Sequence, residues 1–123
     1  MPTGLENLKI YQLAKELELE IHQATKKFPI EERWRSVDQL NRSAAAVSNN
    51  IAEAYHKLSV IQREHILRNI AIGEAEETKR NIERCSMKTF ISKTTADDIA
   101  NRYTSLIKGV YGYIRFLKNQ STN

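Results

Sequence analysis

After Pro29 the chain contains no proline, and from there to its end apolar residues recur every three or four positions. A long breaker-free segment with that period is an amphipathic-helix pattern and argues against a sheet with many turns. The clearest part runs from Gln39 to Tyr55. Leu40, Ala44, Val47, Ile51 and Ala54 form an apolar seam along it. Ala44, Ala45, Ala46, Ala52 and Ala54 keep this helix slim, so its neighbours can approach closely. Gln39, Ser43, Ala46, Asn50, Glu53 and Lys57 make a second face, small and polar.

The rest of the chain reads as three more helices. Thr3 with Glu6 is a capping-box pattern, and Ile10, Ala14, Leu17, Ile21, Ala24 and Phe28 follow as a heptad-like seam. That helix is expected over about 4–27, because a residue before proline avoids the α region. Pro29 suits the first position of helix two, over about 30–57, with Glu31 and Glu32 at the positive end of its dipole. Its seam is expected to include Trp34, Val37 and Leu58. Ser59 and Gln62 form a second capping box, opening helix three over about 60–91. Ile66, Leu67, Ile70, Ala71 and Ala75 lead its seam. Glu74 to Asn81 is a polar middle, and Ile82, Cys85, Met87, Phe90 and Ile91 resume the pattern. The helix is read as continuous, with a break near 76–80 as the alternative. Thr95 with Asp98 opens helix four, over about 96–119, with Ile99, Tyr103, Leu106, Val110, Ile114 and Leu117 inward. Short links between long helices predict an all-α, antiparallel up-down-up-down four-helix bundle, with residues 1–123 as one domain.

The order of these features resembles a known family. Tyr11 lies near the start of helix one. A Phe28-Pro29 turn is followed by acids. Gln-Leu-x-Arg-x-Ala-x-x-Val then spans 39–47, and Asn-Ile-Ala-Glu spans 50–53. Together they resemble the four-helix-bundle 23S rRNA intervening-sequence protein family. Ser48 stands where that family has Pro, Ala54 where it has Gly, and Glu74 where its third-helix pattern has Ser; Ala71, Gly73 and Glu77 match that pattern. The resemblance implies a left-handed bundle from the bacterial cytoplasm that assembles as a ring, a pentamer. It implies no enzyme. Some members are encoded within intervening sequences of ribosomal RNA genes, and relatives of similar fold are basic accessory proteins of reverse-transcriptase retroelements.

Charge bears on the choice of partner. The net charge is +4, and the sequence pI is about 9.3. Residues 1–40 carry six Lys or Arg against seven Asp or Glu, whereas residues 41–123 carry thirteen against eight. That balance permits an anionic partner. Lys108, Tyr111, Arg115 and Lys118 share one face of helix four, and Arg80, Arg84 and Lys88 run at four-residue steps along helix three. Lys and Arg neutralise phosphates, and an interleaved Tyr can stack on a base, so these seven are candidate RNA or DNA contacts. The plainer reading is a solvated face, with Glu76 and Arg80 as an ordinary i,i+4 pair.

On helix two, Gln39, Arg42, Ser43, Asn50 and Glu53 are candidates for a subunit interface or a buried hydrogen-bond network. The alternative is a solvent face with Glu53 paired to Lys57. The carboxylates of the helix-three middle have no His at ferritin-like spacing, so that stretch is expected to face solvent or an interface. His22, His56 and His65 lack zinc spacing, and Cys85, the only cysteine, is expected as a buried thiol in a reducing, cytoplasmic setting. Gly73, Gly109 and Gly112 are expected to allow close helix contact. No catalytic, metal or cofactor site is expected, and no run suits a membrane span. Leu13, Leu19, Val60, Ile61, Ile72, Ile91 and Tyr113 are apolar residues beyond one seam per helix, which points to a homo-oligomer. Two readings stay open: a nucleic-acid-binding oligomer, and a protein-interaction or scaffold module accessory to a nucleic-acid enzyme.

Overall fold

The computed structural model describes residues 4–121, so the expected cap at Thr3 lies outside the described residues. A 3₁₀ turn, Leu5–Asn7, leads into α1, Lys9–Thr25. A second 3₁₀ turn, Ile30–Glu32, precedes α2, Ser36–His56. Helix α3 is α-helical over Val60–Ile66, passes through a π-helical stretch at Leu67–Ala71 and returns to α-helix over Ile72–Met87. Helix α4 is Lys93–Ser121.

Each helix packs antiparallel on its sequence neighbour, and α4 closes on α1. Asn41 Nδ2 of α2 donates to Thr25 Oγ1 of α1 at 3.0 Å, and Ser48 Oγ donates to Glu18 Oε1 at 2.6 Å. Late residues of one helix thus meet early residues of the other. Lys118 at the end of α4 lies 3.6 Å from Glu64 at the start of α3. Arg102 of α4 pairs with Glu16 and Glu20 of α1. The shared core follows the expected seams at Leu17 and Ile21, Leu40, Val47 and Ile51, Leu67 and Ile82, and Ile99, Tyr103, Leu106 and Ile114, all buried, whereas Met87, expected inward, is exposed at the last turn of α3.

Several expectations are corrected. Helix α1 begins at Lys9 because the chain first makes a 3₁₀ turn, and Leu8 at its N-cap offers no side-chain bond. Pro29 does not open α2. The backbone breaks at Arg35 (φ −121°, ψ −105°), and the Glu32 carboxylate accepts from both the Ser36 N–H, at 3.4 Å, and the Ser36 hydroxyl. A side chain from the 3₁₀ turn therefore satisfies the first turn of α2 and fixes its start there. Trp34 is left outside the seam at 81% exposure, and Leu58, past the end of α2, at 96%.

Helix α3 is continuous through its polar middle, and its irregularity lies earlier. At the π-helical stretch the seam steps by five, from Ile66 and Leu67 to Ala71 and Ile72. That step carries Ile70 outward and buries Ile72, the reverse of the expected assignment. The helix stops at Met87 rather than near Ile91. Thr89 adopts φ 66°, its N–H bonds Ser86 O at 2.9 Å, and Phe90 N–H bonds Cys85 O at 3.0 Å. This is a Schellman cap made without glycine. It turns Phe90 onto Phe28, with ring centroids 5.7 Å apart. Ser59 caps α3 as expected, accepting from Gln62 N–H at 3.0 Å. Helix α4 starts earlier than expected, because Ser92 rather than Thr95 takes the capping role: its Oγ accepts from Thr95 N–H at 3.2 Å.

The helical glycines separate into two kinds. A Cβ at Gly109 would lie 3.0 Å from Ile10 Cγ2, so here α1 and α4 do approach closely. A Cβ at Gly73 would meet nothing within 4 Å, and one at Gly112 only the Arg115 guanidinium at 3.7 Å, so neither position marks the close helix approach expected there. Gly73→Ala is therefore expected to raise the unfolding free energy by about 1 kcal/mol, the ordinary helix-interior difference between the two residues. Gly109→Ala is expected to give no such gain, since Ile10 must move. Equal gains in urea denaturation would contradict the assignment.

Candidate nucleic-acid interface

The seven expected contacts do not form one surface, and helix geometry gives the reason. At 3.6 residues per turn, each four-residue step drifts by about 40° around the axis. The run Arg80, Arg84, Lys88 therefore crosses the crest of α3. Arg80 lines a groove of about 340 Å³ between α3 and α4, together with Glu76, Lys79, Glu83, Lys108 and Tyr111. Arg84 and Lys88 lean the other way and line a smaller concavity against the start of α2.

On α4, the spacing of Lys108, Tyr111, Arg115 and Lys118 turns them outward and toward α3. Tyr111 is partly exposed, and the guanidinium of Arg68 sits 5.6 Å from its ring centroid. Arg68 also pairs with Glu64 at 3.0 Å, and Lys118 reaches the same carboxylate. Arg68 was not singled out from the sequence. Its signal is its height on α3, which places it opposite Tyr111 once the two helices run antiparallel. Glu76 and Arg80 form no ion pair among the described residues, so the expected i,i+4 neutralisation does not occur. This face combines an aromatic ring, a stacked guanidinium and lysines at the rim of a groove. Such a set suits a charged, planar-stacking ligand, because Lys and Arg neutralise phosphates and a ring accepts a base.

The polar face of α2 divides as well. Ser43 is buried, and its Oγ lies 2.6 Å from Thr78 Oγ1 of α3. Each hydroxyl also has an acceptor in its own helix, Glu74 O at 2.8 Å for Thr78 and Leu40 O at 3.4 Å for Ser43, so either can donate to the other. Thr78 is fully buried, which corrects the expectation that the polar middle of α3 faces only solvent or an interface. Asn50 is half-buried and donates to Ala46 O at 2.7 Å. Arg42 pairs with Asp38 at 2.7 Å, and Gln39, Arg42 and Glu53 are exposed. No ion pair joins Glu53 to Lys57 among the described residues. Gln39, Arg42, Ser43 and Ala46 border a groove shared with Glu74 and Glu77 of α3. Burial, and then the charge of Glu77, raises the Glu74 carboxyl above its ordinary range.

Cys85 is a buried free thiol, and burial pushes its pKa up. Among the described residues no group of three or more His, Cys, Asp or Glu is placed to hold a metal ion. No helix among them is long and apolar enough to cross a membrane.

With this geometry in hand, comparison with known proteins adds the lineage. A family profile described as 23S rRNA-intervening sequence protein matches residues 6–112. Among solved structures, the chain is similar to a protein of unknown function from the S23 ribosomal protein family of Bacteroides thetaiotaomicron VPI-5482. The two share 26% identity with a TM-score of 0.76, over 85% of this chain and 97% of that one. Comparison with curated proteins gives no match.

Proposed function

This chain belongs to the 23S rRNA-intervening sequence protein family, and we propose that it is a non-catalytic, RNA-binding member whose contact surface is the α3–α4 face. The observation that carries this reading is the charge balance there. Arg68, Lys79, Arg80, Lys108, Arg115 and Lys118 stand against Glu64, Glu76 and Glu83, with Tyr111 among them. Excess cations along a groove track a phosphate backbone, and a ring held from one side by Arg68 offers its other side to a base. The family description ties the lineage to ribosomal RNA, which favours RNA over DNA. A bacterial cytoplasm suits both that ligand and the single unpaired cysteine.

The surface also supports self-association. Ile30 and Trp34 are exposed at one end of the bundle, and Leu58 and Ile61 at the other. Water-exposed apolar side chains of this size mark contact sites. We propose a homo-oligomer, with the pentameric ring of the family resemblance as its form.

Two measurements test these readings. Anisotropy titrations of a labelled single-stranded RNA between about 50 and 200 mM salt are expected to show binding that weakens steeply with salt. Lys108→Glu with Arg115→Glu is expected to cut affinity at least about tenfold and flatten the salt slope, and Tyr111→Ala to weaken binding by about 1–3 kcal/mol. Unchanged affinity in both variants overturns the RNA reading and leaves the protein-interaction module. Size exclusion with light scattering at micromolar concentration is expected to show a species five times the 14.2 kDa chain, reduced in size by Ile30→Ser with Trp34→Ser. A wild-type monomer at micromolar concentration rules out the assembly.

A further inference from the structure

Arg84 and Lys88, turned away from α4, meet Arg35 across a concavity of about 150 Å³ between the start of α2 and the end of α3. Ser36, Gln39 and Asn81 complete its polar wall, and Cys85 lies at its edge. Among the described residues none of these three cations forms an ion pair. Arg84 instead donates to Asn81 Oδ1 at 2.6 Å. Like charges from two separate elements therefore converge on one small hollow.

One carboxylate does stand there. Glu32 presents Oε1 to the Ser36 N–H, at 3.4 Å, and to the Ser36 hydroxyl. The Ser36 hydroxyl above all, with the Ser36 N–H and the charges of Arg35 and Lys88, holds Glu32 below the ordinary carboxylate range. The protein's own anion thus lies within reach of the charges of Arg35 and Lys88, and among the described residues it forms no ion pair with either. It supplies one negative charge against three positive ones and leaves the hollow with an excess of two. The Cys85 thiol, pushed up by burial, adds no charge at neutral pH.

We propose that this hollow binds a phosphoryl dianion, with Arg35, Arg84 and Lys88 neutralising it and Glu32 as the internal anion it displaces. The size of the hollow suits a single tetrahedral group, and its excess charge matches a terminal phosphate better than a singly charged backbone diester. The ligand is either free phosphate or the terminal phosphate of a nucleic acid, and both present the same group. The site does not depend on RNA binding at the α3–α4 face, because it opens on the opposite flank of α3.

Equilibrium dialysis of the full chain against radiolabelled inorganic phosphate, at fixed ionic strength, tests the assignment. The expected result is saturable binding of one phosphate per chain. Removing two charge-assisted bonding partners in Arg35→Gln with Arg84→Gln is expected to weaken it at least about tenfold. Glu32→Gln, which removes the competing charge, is expected to tighten it severalfold. Lys108→Gln with Arg115→Gln is expected to leave it unchanged. Competition by a 5′-phosphorylated but not a 5′-hydroxyl dinucleotide names a nucleic-acid end as the source; competition by neither names free phosphate. Uptake that fails to saturate, or that falls equally in the Arg35/Arg84 and Lys108/Arg115 variants, overturns the site. So does a Glu32→Gln variant that binds no better than the parent.

Discussion

The contact between α2 and α3 governs the rest of this bundle. Alanine and serine line the α2 side, and the partner residues Ala75 and Thr78 are comparably small. Within this contact lies the hydroxyl relay between Ser43 of α2 and Thr78 of α3. Two hydroxyls buried in an apolar seam cost free energy unless each is satisfied, and a slip of one residue along α3 would break the bond between them and leave each with only the acceptor in its own helix. The relay therefore fixes which residues of α3 face α2. It follows that Arg84 and Lys88 meet Arg35 on one flank while Lys79 and Arg80 meet Lys108 and Tyr111 on the other.

The distribution of charge follows from the same frame. Glu16 and Glu20 of α1, with Asp98, converge on Arg102 of α4. Ion pairs at a surface contribute little stability each, so their main effect here is spatial. Two acids of the first helix are thereby held at the α1–α4 seam. The α3–α4 face is left with Glu64, Glu76 and Glu83 among a larger number of cations. The basic excess of the second half of the chain thereby becomes a directional feature rather than a uniform one.

The apolar seams were legible because burial imposes a period that the residues obey: Leu17, Ile21, Leu40, Val47, Ile51, Ile99, Leu106 and Ile114 are all where spacing places them. The Ser59 cap was legible because a short hydroxyl side chain ahead of a helix has one obvious use. Other features left no local signal. The five-residue step at Leu67–Ala71 depends on how α3 must meet two neighbours at once, and the window around Ile70 reads equally well as an ordinary turn. The cap at Thr89 uses a β-branched residue at φ 66°, where sequence rules look for glycine. Trp34 was placed in a seam by its spacing and its apolar character, but Glu32 starts α2 two residues beyond it. The candidate site was legible as residues and not as a surface. Spacing alone put Arg80, Arg84 and Lys88 in one stripe, and only the packed helices show the stripe crossing from one groove to the next. Arg68 and Arg35, which join these grooves from distant positions, are visible only in the folded chain.

The most direct test of the frame on which both surfaces rest is a double-mutant cycle on the relay. Ser43→Ala, Thr78→Val and the double variant would be unfolded in urea and compared with the parent chain. Each single change removes the hydroxyl–hydroxyl bond between the helices, so each is expected to destabilise by about 1 kcal/mol, with a coupling energy of at least about 0.5 kcal/mol between them. Strictly additive losses would mean that the two hydroxyls do not act together, and the register of α3 would then need another origin.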